Sequence, residues 1–451
     1  MVSTERSIEI VDPADGTPVG SVLMASPEDV ARAAERARAA QPAWARTAAA
    51  ERAAMLHDCA ARLRAHATDL AVRNEQETGR SRAEAEEGVR AGAGTLDQYA
   101  ELGPVHRGKT LNGDWSSADF MVAEPRGVVA ALTPWNDPVA VACGLLGAAL
   151  VTGNTVLHKP SERVPHTGAL LGELFEGVFP DAVFQTLQGD GSVGQLLTRR
   201  ADIDVYAHVG STRAGRSIAT AAAATGAKAL LENGGNDALV IDEDVDPAWA
   251  AEQAALGSFV NSGQVCVSVE RILVHEAIAD EFLRELVSKA RAWQPAPLVD
   301  RRHRAEVQEK VEDAARAGAT ILTGGFLPDG PGAHYPATVL NGCDEPSRAW
   351  SEETFGPVAP VRVVPSFDEG LTQAADDEYG LAATVLTGSL QHAQKAWRAL
   401  PVGTVKVNAV FGGAPGGAAH PRRASGNGFG YGPELLDEMT ETKVVHLGIP
   451  G

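Results

Sequence analysis

From Gly127 onward, short apolar runs punctuate longer stretches of helical periodicity, and this alternation restricts the possible folds more than any other feature of the chain. GVVAALT, NTVLHK, AVFQTL, VYAHV, KALLE and DALVI each read as a buried strand. Strands too apolar to leave a face in water, separated by amphipathic helices, call for a parallel sheet covered on both sides. The expectation is an open α/β domain. The same texture returns after residue 266, with strands near RILVH, ATILTGG, PVAPVRVV, AATVLTG and GTVKVNAV and helices near 277–291, 301–317, 367–376 and 389–400. Residues 26–101 read as successive helices opened by a Ser26-Pro27-Glu28-Asp29 cap, and Gly412 to Gly432 as loop. The tail ETKVVHL (441–447) and an arm near 108–124 lack sequential partners, and orphan strands often pair with another subunit.

Bulk properties exclude several function classes. A net charge of −20 disfavours nucleic acid and anionic membranes as partners, since both reward basic patches. The longest apolar run, Val139 to Val151, falls short of the roughly 20 residues of a membrane span. Cys59, Cys143, Cys266 and Cys343 are scattered without a CxxC or Cys/His spacing, so reduced thiols in a cytoplasmic setting and no metal are expected. The N-terminus carries no basic segment followed by an apolar one, so no secretion signal is read there.

Chemistry centres on NSGQVCVSVER (261–271). A lone cysteine is more often a small buried hydrophobe than a nucleophile. Here Gly263 and Gln264 place Cys266 in a loop, where a sulfur with a base nearby can attack a carbonyl. Four other segments gain meaning if they meet it. Asn136, in TPWNDP after the strand GVVAAL, is either a turn former or an amide donor to an oxyanion. Glu232, at the end of KALLE before Asn233-Gly234-Gly235, is a surface carboxylate or a placed base. Gly210-Ser211-Thr212-Arg213-Ala214-Gly215 turns from a strand into a helix and offers backbone donors to phosphate, though this spacing alone is weak. Lys159 and Glu162, in KPSE, could bond ribose hydroxyls or stand solvated.

The ordered series TPWN, KPSE, GSTRAG, LLENGG, GQVC, EETFGP and VKVN resembles the aldehyde dehydrogenase superfamily over nearly the whole chain, including the 34 residues between Glu232 and Cys266. The resemblance implies a Rossmann-type NAD-binding domain (1–106 and 125–234), an α/β catalytic domain (235–438) and a small oligomerisation arm (107–124 and 439–451) that builds a homodimer or homotetramer. It implies oxidation of a small-molecule aldehyde to a carboxylic acid. Cys266 would form the thiohemiacetal and thioester, Asn136 would hold the oxyanion, and Glu232 would activate water. Trp135, Lys159, Glu162, Gly210, Ser211, Gly215, Glu353 and Phe355 would bind the cofactor, which Glu162 makes NAD rather than NADP because a carboxylate repels a 2′-phosphate. Val141, Val265, Val267 and Phe411 would line an apolar substrate tunnel with Asp137. A CoA-acylating relative and, from another class, a cysteine acyl hydrolase are the alternatives.

The chain also departs from the family's pattern. Asp137 stands where an aromatic or apolar residue is usual, either walling the tunnel against anionic substrates or capping the next helix. Leu145 and Gly430 occupy the positions of a lysine and a glutamate proposed as a proton relay, so Glu232 is expected to work through water alone. The segment Trp293 to Val299 reads as a trimmed surface loop. His420, Arg422 and Arg423, in the lengthened passage 418–424, read as solvated charges near the substrate entrance.

Overall fold

The computed structural model describes residues 6–344, 346–413, 417 and 419–448. A hairpin, β1 (Ser7–Val11) and β2 (Pro18–Leu23), precedes four helices, α1 (Pro27–Ala45), α2 (Ala49–Ala65), α3 (Ala67–Thr78) and α4 (Arg82–Leu102). The predicted cap opens α1 as a capping box: Ser26 Oγ accepts from Asp29 N, and Asp29 Oδ2 accepts from Ser26 N. Strands β3 (Lys109–Leu111) and β4 (Ser117–Pro125) form the arm.

The first α/β unit runs β5 (Val128–Leu132), α5 (Pro138–Val151), β6 (Thr155–Lys159), α6 (Pro165–Phe175), β7 (Phe184–Thr186), α7 (Gly191–Thr198), β8 (Val205–Val209), α8 (Thr212–Thr225) and β9 (Lys228–Glu232). Its strands β9-β8-β5-β6-β7 lie parallel. Alternate residues of each strand feed different cores. Val129, Ala131, Val205 and Ala207 pack with α2, α4, α5 and α6, while Val128, Ala130, Leu132 and Tyr206 pack with α1, α7 and α8. The apolar run that is too short for a membrane becomes α5, buried throughout except at Val141. No helix among the described residues is long and apolar enough to cross a membrane.

The second unit runs β10 (Asp237–Ile241), α9 (Pro247–Phe259), β11 (Val269–His275), α10 (Glu276–Ala292), α11 (Arg301–Arg316), β12 (Thr320–Thr323), β13 (Thr338–Asn341), α12 (Arg348–Ser351), β14 (Val358–Val364), α13 (Phe367–Ala375), β15 (Ala382–Leu386), α14 (Leu390–Ala399) and β16 (Thr404–Val407). The sheet order is β12-β13-β14-β11-β10-β15-β16, parallel except for β12 against β13. DALVI, grouped by its sequence with the first block, is β10 at the middle of this second sheet. Strand β13 was not expected, because TVLN is short and follows a Gly/Pro-rich stretch.

The C-terminal stretch changes partners. Within the passage read as loop, β17 (Gly426–Asn427) pairs antiparallel with β9, and α15 (Glu434–Glu438) follows. Leu435, Leu436 and Met439 are buried in the core of the first unit, so this part of 235–438 lies against the first sheet. The tail is β18 (Thr440–Gly448), and its partner is β4 of the same chain, in register from Thr440↔Pro125 to Gly448↔Ser117. The two segments expected as orphans thus pair with each other, and three-stranded β18-β4-β3 results.

Candidate active site

Four of the singled-out segments leave the carboxyl ends of β5, β6, β8 and β9, where parallel sheets place their sites. The nucleophile loop meets them from the second unit. Asn261, Ser262 and Gly263 all have positive φ, at 48°, 56° and 73°. Two non-glycine residues in this region store local strain, which the surroundings must hold. Gln264 holds it: its Nε2 donates to Asn261 O, its Oε1 accepts from Val299 N, and its O accepts from Asn261 Nδ2. A Cβ at Gly263 would stand 2.1 Å from Gly356 O, so only glycine lets this loop touch the EETFGP passage. Ser262 Oγ donates to Ala296 O, so Trp293 to Val299 backs the nucleophile loop and is no mere surface trim.

The loop aims Cys266 at its predicted partners. Sγ lies 3.9 Å from Glu232 Oε1, and Asn136 Nδ2 donates to Gln264 O at 3.1 Å, leaving its second N–H free for an oxyanion. Val265, Cys266 and Val267 are half-buried between fully buried neighbours, so this is the part of the loop a substrate can reach. Desolvation and the nearby carboxylates Glu232, Asp237 and Glu353 hold the thiol well above its ordinary pKa, with Lys406 opposing. Burial also raises Glu232, against a hydrogen bond from the thiol. A neutral thiol beside a carboxyl group of raised proton affinity could serve as nucleophile and base.

Glu353, already named from EETFGP, is joined around this centre by Glu270 and Lys406, which the motif reading did not single out. Glu353 abuts the Gly234-Gly235 turn, accepts from Gly235 N at 3.1 Å and is pushed by burial up to about 8. Glu270 accepts from Thr354 N and Phe355 N and is pushed by burial to about 7. Lys406 Nζ donates to Val410 O and lies 5.6 Å over the Phe411 ring. Nothing local marks the last two, because Glu270 and Lys406 owe their surroundings to burial next to distant segments.

The departures resolve into specific contacts. Asp137 neither caps α5 with its side chain nor stands as an uncompensated charge: Arg80 Nη1 pairs with its Oδ1 at 2.8 Å and donates to Asn136 O at 3.2 Å. Leu145 is buried in the apolar core of the first unit. A Cβ at Gly430 would lie 2.3 Å from Glu232 Oε2, so the missing side chain is what makes room for the carboxylate. Tyr431, next in sequence, turns its hydroxyl to Thr95 Oγ1. In the lengthened passage, of which Ala418 lies outside the described residues, His420 Nε2 accepts from Gly428 N and Arg423 donates to Ala375 O and Asp377 O. Arg422 and Arg423 are exposed.

The predicted cofactor residues stand at or after the ends of β5, β6 and β8 and in the EETFGP passage, with unequal contacts. Trp135 sits edge-on to Phe355 at 5.5 Å, with Arg163 over its ring at 5.2 Å. Lys159 is buried, donates to Pro160 O, and is lowered by burial against the carboxylates of Glu162 and Asp190. Ser211 Oγ caps α8 by accepting from Ala214 N, while Gly210 N donates to Glu232 O and Gly215 N to Ser211 O, so the donors left to the turn are those of Ser211, Thr212 and Arg213. Gly215 serves packing: a Cβ there would stand 1.9 Å from Asn233 Oδ1. At Gly194 on α7, a Cβ would make only ordinary contacts, with Leu132 and Lys159 at 3.9 Å. The free backbone donors at the start of α8 could hold a phosphate group. Of the expected tunnel residues, Val141, Val265, Val267 and Phe411 all retain partial exposure.

Comparison with known proteins gives a consistent outcome. The profile of the Aldehyde dehydrogenase family matches residues 1–445. The chain is 33% identical over 461 residues to the NADP/NAD-dependent aldehyde dehydrogenase PuuC of Escherichia coli, covering 98% of this chain and 93% of that protein. Lactaldehyde dehydrogenase from Escherichia coli superposes with a TM-score of 0.96 at 30% identity, covering 99% of this chain and 96% of the other. Betaine aldehyde dehydrogenase from Staphylococcus aureus, in complex with NAD+, gives a TM-score of 0.96 at 29% identity over 99% and 92%.

Proposed function

The chain belongs to the aldehyde dehydrogenase family, and from that premise we propose that it oxidises an aldehyde to a carboxylic acid with NAD, through a thioester on Cys266. The observation that carries the reading is the convergence of Cys266 Sγ, Glu232 Oε1 and Asn136 Nδ2 around one loop. Glu232 takes the thiol proton as Sγ attacks the carbonyl carbon. The free N–H of Asn136 and the backbone N–H of Cys266 hold the resulting oxyanion, a contact worth roughly 3–4 kcal/mol in the transition state. Trp135, Lys159, Glu162, Ser211, Glu353 and Phe355 would hold the nicotinamide cofactor, which would supply the hydride acceptor needed for the Cys266 thiohemiacetal to become a thioester. Glu232, after losing its proton to solvent, deprotonates the water that cleaves the thioester and frees Cys266.

Because Gly430 and Leu145 supply no charged partner, that proton reaches solvent through water. Deacylation then limits turnover, and a burst of NADH precedes the steady state. An absent burst together with a slowed rate for a deuterated aldehyde would refute this. Glu162, beside Lys159, favours a free 2′-hydroxyl over a 2′-phosphate. Faster turnover with NADP than with NAD at equal concentration would overturn the cofactor preference. Arg80 balances Asp137, so the tunnel imposes no net negative charge there and carboxylated aldehydes are not excluded on that ground.

A dimer or tetramer is the proposed assembly, joined through the arm, where Leu111, Trp115, Val444 and Leu447 are exposed. The expected setting is cytoplasmic, with Cys59, Cys143 and Cys343 buried as free thiols. The deciding experiment is an aldehyde panel run with NAD and NADP, with product analysis with and without CoA. Carboxylate formation coupled to NADH supports the proposal. An acyl-CoA product, or acyl hydrolysis without NADH, overturns it.

A further inference from the structure

His208 is a buried titratable group that none of the steps above uses. It lies abreast of Leu132, which is abreast of Lys159, and on its other side of Leu231, so the four side chains form one row across β6, β5, β8 and β9. Residues abreast in a sheet share a face. Here that face is the one covered by α7 and α8, where Leu132 and Leu231 meet Val193, Leu197, Ile218 and Ala222. Two residues later the chain turns into α8, and a Cβ at Gly210 would stand 2.8 Å from His208 Cε1. The imidazole therefore lies directly under the Gly210-Ser211 turn.

His208 is 9% exposed, and its Nδ1 and Nε2 are both buried without a hydrogen-bond partner. Carbonyl groups of Ser211 and Leu132 lie near enough to favour protonation slightly, yet neither meets the geometry of a hydrogen bond. Burial outweighs them and pushes the imidazole down to about 4, so at neutral pH it is an uncharged ring with one N–H to give. An apolar ring of the same shape would avoid the cost of burying two unsatisfied nitrogens. An orphaned polar group that persists beneath a turn with free backbone donors fits a partner that arrives with a ligand.

We propose that His208 is a recognition residue for the adenosine diphosphate half of the cofactor, donating its N–H to a ribose or phosphate oxygen from beneath the Gly210-Ser211 turn. This rests on the dinucleotide reading of the cleft. The position between Lys159 and Ser211 selects that half of the molecule, and a neutral donor serves either oxygen type. Calorimetric titration of the full-length protein with NADH and with ADP, alongside thermal melts of the ligand-free protein, tests it.

His208→Phe should bind both ligands about two- to tenfold more weakly, the worth of one net hydrogen bond, while the ligand-free variant melts no lower than wild type. His208→Gln, which keeps an N–H, should recover part of the affinity. Unchanged affinity in His208→Phe, or a lower melting temperature, overturns the proposal. Weakened NADH binding with unchanged ADP binding moves the contact to the nicotinamide half and overturns it as well. Failure of the wild type to bind NADH at all sinks the dinucleotide reading itself, whereas normal wild-type binding with an indifferent His208→Phe sinks only the role of His208.

Discussion

Replacing Gly430 with alanine adds one methyl group and should cost rate without costing stability. The new Cβ would stand 2.3 Å from Glu232 Oε2 and 3.4 Å from Cδ. Gly430 is not among the positive-φ glycines, so alanine brings no backbone strain, and a smaller unfolded-state entropy even favours folding by about 0.4–1 kcal/mol. The group that must yield is the far end of a flexible side chain, so the carboxylate retreats rather than the fold. Restoring an ordinary contact moves Oε2 by about 1 Å, and a misplacement of that size costs on the order of 100-fold in rate. A general base supplies about 10²- to 10⁴-fold, so kcat should fall by about 10- to 100-fold, with the melting temperature within a few degrees of wild type. Steady-state kinetics with any turned-over aldehyde, paired with a thermal melt, reads both quantities. Unchanged kcat would mean that the Glu232 position observed against Cys266 is not the working one. A collapse in melting temperature would mean that the backbone takes up the clash.

Other perturbations separate the charges around the sulfur. Glu232→Gln should lower turnover by about 10²- to 10⁴-fold and yet speed alkylation of Cys266 by iodoacetamide at pH 9, because a neighbouring carboxylate that raises the thiol has been neutralised. Slower alkylation would show that Glu232 acts on the resting thiol as a base and not as an opposing charge. Glu270 is held at about 7, above its unfolded value near 4.5, so its folded form binds the extra proton. Its contribution to stability is complete below about 4.5 and lost as pH rises through about 7. The melting temperature should therefore decline between pH 5 and 8, and Glu270→Gln should flatten that decline. An identical slope in the variant removes Glu270 as the cause. Asp137→Ala strands the Arg80 guanidinium and loosens its grip on Asn136 O, with an expected cost of about 1–3 kcal/mol in stability and a drop in kcat. Pairing it with Arg80→Met should recover stability but not rate, and denaturant melts with kinetics on both variants check this.

Periodicity and motif order made much of this molecule legible in the chain itself. Strands buried on both faces are mostly apolar, so each strand of the first unit from β5 to β9 stood out, as did α10, α11, α13 and α14 of the second. The nucleophile, the amide and the base could be named because each ends a strand or sits in a glycine-bearing loop, a local signature. What required tertiary structure was every role set by a distant neighbour. DALVI carries no mark of which sheet it joins, because parallel strands are assigned by crossovers rather than by their own residues. The tail and the arm found each other across 300 residues of intervening chain. Asp137 reads as a bare charge until the connection between α3 and α4 brings Arg80 to it, and Gly430 reads as a loop glycine until Glu232 takes the space beside it. A residue's type and its near neighbours fix its conformational preference and its chemistry. Its electrostatic surroundings and available volume are decided only when segments far apart in sequence are packed together.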